Sequence, residues 1–154
     1  LWMAVQRPWK DDPENTTKLL AYNTADETWG AVRYPLEPAP EGGWVGLSEI
    51  TLSGDWVYLI ERDNQIGEKA GLKAITRVPV SAMVPAPLGG DLPLVTKETF
   101  RDLIPDLAGF KGYIGEKVEG LAIDAAGTGF VVTDNDGVAD SSGETFFWSI
   151  GPVN

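Results

Sequence analysis

One segment of this chain recurs three times at spacings that allow superposition without gaps. The middle copy spans residues 56–78 and contains an apolar run, a polar stretch, a glycine-containing loop and a second apolar run. A forward shift by 72 residues places Tyr58 on Phe130, and a backward shift by 55 residues places Trp56 on Leu1. The distance between the two apolar runs is kept in each copy, so the repeat predicts an array of similar sheet units.

The repeated unit has the properties of a β-propeller blade. The apolar run that opens the repeated segment, residues 56–60 in the middle copy, predicts a strand that is buried on both faces. A further strand precedes it over residues 44–52 and 118–123, and a hairpin over residues 18–36 follows the first copy. About four antiparallel strands in each unit predict an all-β fold, a propeller fragment of about two and a half four-stranded blades. The predicted limits are about 1–37 for blade 1, about 44–108 for blade 2 and about 117–151 for blade 3.

The alternative fold is an independent β-sandwich. One short helix is predicted in a connection over residues 96–109, where Phe100, Leu103 and Leu107 recur at helical spacing. The first copy lacks an inner strand, which would precede Leu1, where neither an initiator methionine nor a signal peptide is present. We therefore expect a trimmed fragment whose open sheet edges pair with the remainder of the propeller or with a second copy.

The composition excludes several classes of function. The formal net charge of -11 argues against nucleic acid and anionic membranes as partners, because both require a basic face. No run of about 18 apolar residues occurs, so membrane insertion is not expected. The chain contains neither histidine nor cysteine, which excludes a Ser-His-Asp triad, a cysteine nucleophile and imidazole or thiolate metal ligands within these residues.

Polar side chains follow the apolar strand in the second and third copies. Equivalent positions of successive blades lie side by side around one end of a propeller, so these side chains should converge. Carboxylate and amide oxygens without imidazole or thiolate suit a hard cation, Ca²⁺ before Mg²⁺. The alternative is turn formation, because Asp and Asn also stabilise hairpin loops. The predicted metal ligands are Glu61, Asp63, Asn64, Asp134, Asn135 and Asp136.

Charged residues near the inner strands are the catalytic candidates. Glu49 and Glu119 lie in or beside apolar strands, which predicts that they face the central channel as ligands or as a general acid and base. Arg7 and Arg62 occupy matching positions of the repeat and could together hold an anionic group. In the alternative, these charges form salt bridges between blades. The predicted catalytic residues are Glu49, Glu119 and Arg62. The candidates for stacking on a ligand are the loop residues Trp9 and Trp44.

Four segments of the chain resemble the phytase-like domain family, called "esterase-like activity of phytase". They are residues 44–49, 59–64 with the sequence Glu-Arg-Asp-Asn at its end, 118–122, and 131–137 with Thr-Asp-Asn-Asp-Gly at its end. The resemblance spans nearly the whole chain and corresponds to the C-terminal portion of the domain. It implies a mainly bacterial propeller, exported to the periplasm or the cell exterior, that hydrolyses phosphate or other esters and uses Ca²⁺. The first copy has Gln-Arg-Pro-Trp in place of Glu-Arg-Asp-Asn, so a fully symmetric metal ring is not expected.

Two functions follow from these observations. The first is a metal-assisted phosphoester or ester hydrolase, in which Ca²⁺ neutralises the charge of a small phosphate ester and a carboxylate positions or deprotonates water. The second is a non-catalytic secreted propeller that binds a ligand or partner on its rim, with acidic residues that serve solubility and turns. Binding of Ca²⁺ without turnover would favour the second function.

Overall fold

In a computed structural model, the described part of the chain comprises residues 1–109, 113–115, 117–135 and 145–153. These residues form three antiparallel sheets and one short α-helix, so the prediction of an all-β propeller fragment with one short helix is confirmed. No helix among them is long and apolar enough to cross a bilayer. The elements are β1 (Trp2–Ala4), β2 (Thr16–Asn23), β3 (Thr28–Pro35), β4 (Val45–Ser53), β5 (Trp56–Asp63), β6 (Lys73–Pro79), β7 (Ala86–Pro87), β8 (Glu98–Asp102), α1 (Ile104–Ala108), β9 (Lys117–Ile123), β10 (Thr128–Asp134) and β11 (Phe147–Pro152).

Each sheet corresponds to one blade. Blade 1 has the strand order β1-β2-β3-β7, blade 2 the order β4-β5-β6-β8, and blade 3 the order β9-β10-β11. The cross-strand pair Tyr58 and Arg77 in blade 2 becomes Phe130 and Ser149 in blade 3, which is the forward shift of the sequence repeat. In blade 1 the second strand is displaced by two residues from the ungapped alignment, because Ala4 pairs with Leu19. The turn after the first strand is therefore shorter in that copy.

Strand β5 is buried on both faces, as its uninterrupted apolar run predicts. Val57 and Leu59 belong to the apolar cluster between blades 1 and 2. Tyr58 and Ile60 alternate with them and belong to the cluster between blades 2 and 3. A strand has a side-chain period of two, so only a strand covered by a sheet on each side buries four consecutive apolar residues. The main partners of these four side chains are Leu19, Val32 and Tyr34 in blade 1 and Val118, Leu121 and Val131 in blade 3.

The predicted helix over residues 96–109 is wrong in its first half. Glu98–Asp102 forms the edge strand β8, which pairs with β6. Phe100 contacts the ring of Tyr58 edge to face at 5.4 Å between ring centroids. The helix α1 is confined to Ile104–Ala108, with proline in its first turn. The helical spacing of the apolar residues was overridden because the free edge of β6 offers backbone hydrogen bonds to an extended segment.

The connection from β6 to β8 crosses back to blade 1. Within this segment, residues 80–97, strand β7 pairs with the outer edge of β3. The N–H of Val95 then donates to the carbonyl of Arg33 at 2.9 Å, and the N–H of Arg33 donates to the carbonyl of Pro93 at 2.8 Å. We call residues 80–97 the interblade strap. Part of the predicted span of blade 2 thus belongs to the sheet of blade 1.

The inner strand of blade 2, β4, lies close to both neighbouring blades. The N–H of Leu47 in β4 donates to the carbonyl of Gln6 at 2.9 Å, which joins blade 2 to blade 1. A Cβ at Gly46 would lie 2.4 Å from the same Gln6 oxygen, so only glycine permits this approach. The hydroxyl of Thr51 in β4 donates to the carbonyl of Leu121 in β9 at 2.9 Å. Blade 2 is therefore tied to both neighbours through its inner strand.

Leu59→Ala should lower the free energy of unfolding by about 2–5 kcal/mol. The substitution removes a buried side chain and leaves a cavity that the packed blades cannot fill. Leu52→Ala is the matched control, since Leu52 is 67% exposed. Urea denaturation followed by circular dichroism measures both variants. Equal losses in the two variants would contradict the burial of β5 between two sheets.

Candidate active-site groove between blades 1 and 2

Glu61 is a fully buried carboxylate near the end of β5. It follows the alternation of Val57 and Leu59 and therefore points toward blade 1. The hydroxyl of Tyr34 donates to its Oε2 at 2.8 Å, and the ammonium of Lys97 donates to the same oxygen at 2.5 Å. The backbone N–H of Glu37 donates to Oε1 at 2.6 Å. Three donors from blade 1 and from the interblade strap therefore satisfy one buried negative charge.

Burial raises the pKa of Tyr34 well above its ordinary value of 10.0, and the negative charge of Glu61 raises it further. Its hydroxyl is also 2.6 Å from the hydroxyl of Thr76 in β6. Tyr34 is therefore a fixed hydrogen-bond donor that keeps its proton at physiological pH. The hydroxyl therefore orients the Glu61 carboxylate through its hydrogen bond.

Lys97 is the cation that sequence reasoning missed. Its ammonium lies 2.5 Å from the carboxylate of buried Glu61 and 3.1 Å from that of Glu37, which is 54% exposed. The Lys97 side chain is itself 12% exposed, so it remains accessible from the solvent side. Lys97 lies in the interblade strap just before β8, and no local pattern reveals that the strap passes over blade 1. The ladder between β3 and β7 is what places it there.

Asp63 forms a second buried ion pair. Lys73 at the start of β6 donates from its ammonium to Asp63 Oδ1 at 2.8 Å, and both side chains are almost fully buried. The N–H groups of Gly71 and Leu72 donate to Oδ2 at 2.7 and 2.8 Å. The N–H of Gln65 donates to Oδ1 at 3.1 Å. The loop between β5 and β6 is therefore folded around this carboxylate.

Two cavities adjoin along the boundary of blades 1 and 2. The larger has a volume of about 600 Å³ and is lined by Glu61, Asp63, Asp102 and the exposed Glu37. The smaller has a volume of about 260 Å³ and is lined by Arg7, Pro8, Asn15, Leu36, Ala39 and Trp44. Glu37 and Val45 line both, so we describe the two cavities together as the interblade groove.

Arg62 points to the opposite side of β5, toward blade 3. Its guanidinium donates to Glu119 Oε1 at 2.8 Å and to the hydroxyl of Ser48 at 2.8 Å. Arg62 and Glu119 therefore form a salt bridge between blades 2 and 3, which was the alternative to a catalytic role. Glu49 differs from this pair, since its carboxylate accepts from the N–H of Ile50 at 2.8 Å. Catalytic roles for Glu49, Glu119 and Arg62 stay predictions.

The arginines at matching positions of the repeat meet on one tryptophan. The guanidinium carbon of Arg7 lies 4.8 Å from the centre of the Trp44 ring, and that of Arg62 lies 5.2 Å from it. Asn64 holds the backbone of Trp44, because its side-chain oxygen accepts from the Trp44 N–H at 2.8 Å. Asn64 therefore stabilises the backbone before β4, and metal ligation by Asn64 stays a prediction.

Glu61 and Asp63 do not fit a cation site, because both oxygens of each carboxylate already accept from ammonium, hydroxyl or N–H groups. Across the described ranges, no group of three or more acidic side chains is arranged to hold a metal ion. Asp134 ends β10 and is exposed, and Asn135 follows it. Asp136 lies outside the described residues. Calcium binding at the third copy stays a prediction.

Comparison with known proteins gives one finding for the chain as a whole. A family model described as "Phytase-like: Esterase-like activity of phytase" matches residues 1–137. No curated protein and no solved structure gives a match. The matched range contains both blades that form the interblade groove and the first two strands of blade 3.

Asp63→Asn should lower the free energy of unfolding by about 3 kcal/mol, because Lys73 would stay buried without its counter-charge. Asp55→Asn is the matched control, since Asp55 lies exposed in the turn between β4 and β5. Urea denaturation in the presence and absence of Ca²⁺ measures both variants. A variant as stable as wild type that loses a Ca²⁺-induced rise in the free energy of unfolding would contradict the ion-pair role and support metal ligation by Asp63.

Stability should fall as the pH rises above 10, because the folded protein retains the Tyr34 proton while the unfolded chain releases it. The folded-state pKa is the raised one, so this contribution is complete below pH 10 and is lost above it. The expected slope is about 1.4 kcal/mol per pH unit for this group. Urea denaturation of wild type and Tyr34→Phe from neutral to alkaline pH measures the difference in slope. Equal slopes would show that the hydroxyl is not protected.

Proposed function

Because this chain belongs to the phytase-like family, whose description is the esterase-like activity of phytase, we propose that it hydrolyses small esters in the interblade groove. The observation that carries the proposal is the ammonium of Lys97, placed 3.1 Å from the exposed carboxylate of Glu37. A carboxylate can accept a proton from attacking water, and a nearby cation can stabilise the negative charge that develops on the ester oxygen. Glu37 lines both cavities of the groove, so a substrate in either reaches it.

The proposed reaction uses the two groups in turn. The Glu37 carboxylate takes a proton from water, and the water oxygen forms a bond to the acyl carbon or the phosphorus of the ester. The Lys97 ammonium donates a hydrogen bond to the ester oxygen on which negative charge develops. The bond to the alcohol oxygen then breaks, and the proton held by Glu37 passes to the leaving alkoxide. One ester and one water become one acid and one alcohol.

Glu61 acts in this proposal as a positioning residue. Its carboxylate accepts from the Lys97 ammonium and from the N–H of Glu37, so it fixes both reacting groups from behind. Tyr34 holds Glu61 in turn through its hydroxyl at 2.8 Å. Buried hydrogen bonds of this kind keep the donor in place before the substrate arrives, which is the source of electrostatic stabilisation in a transition state.

The second candidate is a non-catalytic binding module. It is favoured by one specific observation, that the buried carboxylates Glu61 and Asp63 are satisfied by donors that tie strands together. In this reading, the ion pairs stabilise the packing of blades and the groove binds a ligand without turnover. The discriminating measurement is product formation from a panel of neutral and anionic nitrophenyl esters.

Assistance by calcium and export from the cytoplasm are separate parts of the proposal. Bound Ca²⁺ would supply charge neutralisation to a phosphate ester, and the remaining candidate ligands among the described residues are Asp134 and Asn135. Export to the periplasm or the cell exterior rests on the family resemblance and agrees with the acidic composition. Neither is needed for the roles of Glu37 and Lys97.

Glu37→Gln and Lys97→Gln should each reduce kcat for para-nitrophenyl acetate or para-nitrophenyl phosphate by about 10²–10³-fold, because one removes the base and the other the stabilising cation. Glu41→Gln is the matched control, since Glu41 is exposed in the same loop and the ion pairs of Lys97 among the described residues are with Glu37 and Glu61. Release of nitrophenolate measures the rate, and circular dichroism checks that each variant is folded. Turnover at the wild-type rate in Glu37→Gln would disprove the assignment, and absence of turnover in wild type would favour the binding module.

A further inference from the structure

We infer that Arg7 and Trp44 form a subsite for an oxyanion, a phosphate or a carboxylate group, carried on a flat or apolar body. The subsite lies in the smaller cavity of the interblade groove. This inference deepens the proposed function and rests on it for the choice of an ester as substrate. The binding step itself is independent of turnover.

The first support is the charge of Arg7. Its guanidinium contacts the Trp44 ring, and no carboxylate of the described residues forms an ion pair with it. Arg62 lies on the same ring, but its charge is balanced by Glu119 at 2.8 Å, and its side chain is 1% exposed. Arg7 is exposed, so its charge is available to a ligand. An uncompensated guanidinium at the wall of a cavity attracts an oxyanion and can bind it with two parallel hydrogen bonds.

The second support is the way in which Trp44 orients Arg7. A guanidinium over an aromatic face is held by cation–π attraction and loses less conformational freedom on binding than a free side chain. The guanidinium of Arg62 also contacts the Trp44 ring, and the Trp44 N–H donates to the side-chain oxygen of Asn64. Trp44 is therefore held in place by residues of blade 2, and Arg7 contacts Trp44 at the wall of the cavity.

The third support is the chemistry of the remaining wall. Pro8, Leu36 and Ala39 supply apolar surface, and the exposed Asn15 supplies a polar side chain. A cavity of about 260 Å³ in which Arg7 is the one cation among the described lining residues and much of the wall is apolar suits a small amphipathic anion. Glu37 lines the same cavity, so a ligand with one anionic group and one neutral ester bond would place the anionic group at Arg7 and the ester bond at Glu37.

A purely structural role for Arg7 is not required to join blades 1 and 2. The backbone bond from Leu47 to Gln6 at 2.9 Å already makes that connection, and Gly46 allows the close approach. The contact between the Arg7 guanidinium and the Trp44 ring is additional to this backbone connection. The exposed side of the Arg7 guanidinium therefore explains its position better than its contact with Trp44 does.

The binding experiment titrates wild-type protein with phenyl phosphate and follows tryptophan fluorescence. Saturable binding is expected in wild type, with the dissociation constant raised about 10-fold or more in Arg7→Gln, because the charge-assisted hydrogen bonds are lost. Lys10→Gln is the matched control, since it makes the same change of charge at an exposed residue that does not line the cavity. Trp44→Phe should lose most of the fluorescence change, and phenol should fail to compete.

Several outcomes would overturn the inference. They are the absence of saturable binding in wild type, equal weakening in Arg7→Gln and Lys10→Gln, and competition by phenol as strong as by phenyl phosphate. A Tm measurement confirms that Arg7→Gln is folded. Competition by inorganic phosphate and by benzoate separates phosphate from carboxylate as the preferred group.

The same variants separate this inference from the proposed function. If the groove is catalytic, the ratio of kcat/KM for the anionic ester para-nitrophenyl succinate to that for neutral para-nitrophenyl acetate should fall about 10-fold in Arg7→Gln. If no ester is hydrolysed, phenyl phosphate still tests the subsite by fluorescence, and Lys97→Gln should still bind it. Failure of turnover with retained binding therefore removes the hydrolase and leaves the subsite.

Discussion

The structure depends on one strand that has no solvent face. Strand β5 is covered by blade 1 on one side and by blade 3 on the other, and its alternation does not stop where its apolar residues end. The next three residues are all charged. Glu61 points toward blade 1 and Arg62 points toward blade 3, while Asp63 is paired with Lys73 of blade 2. A charge that is removed from water requires a partner on the same side. The neighbours of β5 therefore have to supply one.

The residues that neutralise these three charges come from different parts of the chain, and one of them lies beside the interblade groove. Lys73 neutralises Asp63 from within blade 2, and Glu119 neutralises Arg62 from blade 3. The partner of Glu61 is Lys97, which arrives only because the interblade strap crosses to the edge of blade 1 and returns. The same ammonium then faces the exposed Glu37. A residue that satisfies a buried charge thus becomes a cation beside an accessible base, and packing and proposed chemistry share one contact.

Particular residues show how far sequence reasoning reached into the site. The matching positions of Arg7 and Arg62 were visible in the repeat, and the structure brings both onto Trp44. The alternative of a salt bridge between blades was also apparent for Arg62 and Glu119, because a charged residue in an apolar strand requires a partner of opposite charge. The contacts of Glu61 were not visible, since carboxylates that hold a metal and carboxylates that hold an ammonium read alike in a sequence.

The sequence by itself determined the sheet units, the two-sided burial of β5 and the exclusion of histidine and cysteine chemistry. These properties follow from local periodicity and composition, which need no knowledge of what lies nearby in space. Only the tertiary structure decided that residues 98–102 form a strand, that the interblade strap joins blade 1, and that Lys97 meets Glu61. The physical reason is that free strand edges and buried charges are satisfied by whichever donor the chain brings within reach, and that donor is 36 residues away from Glu61 in sequence.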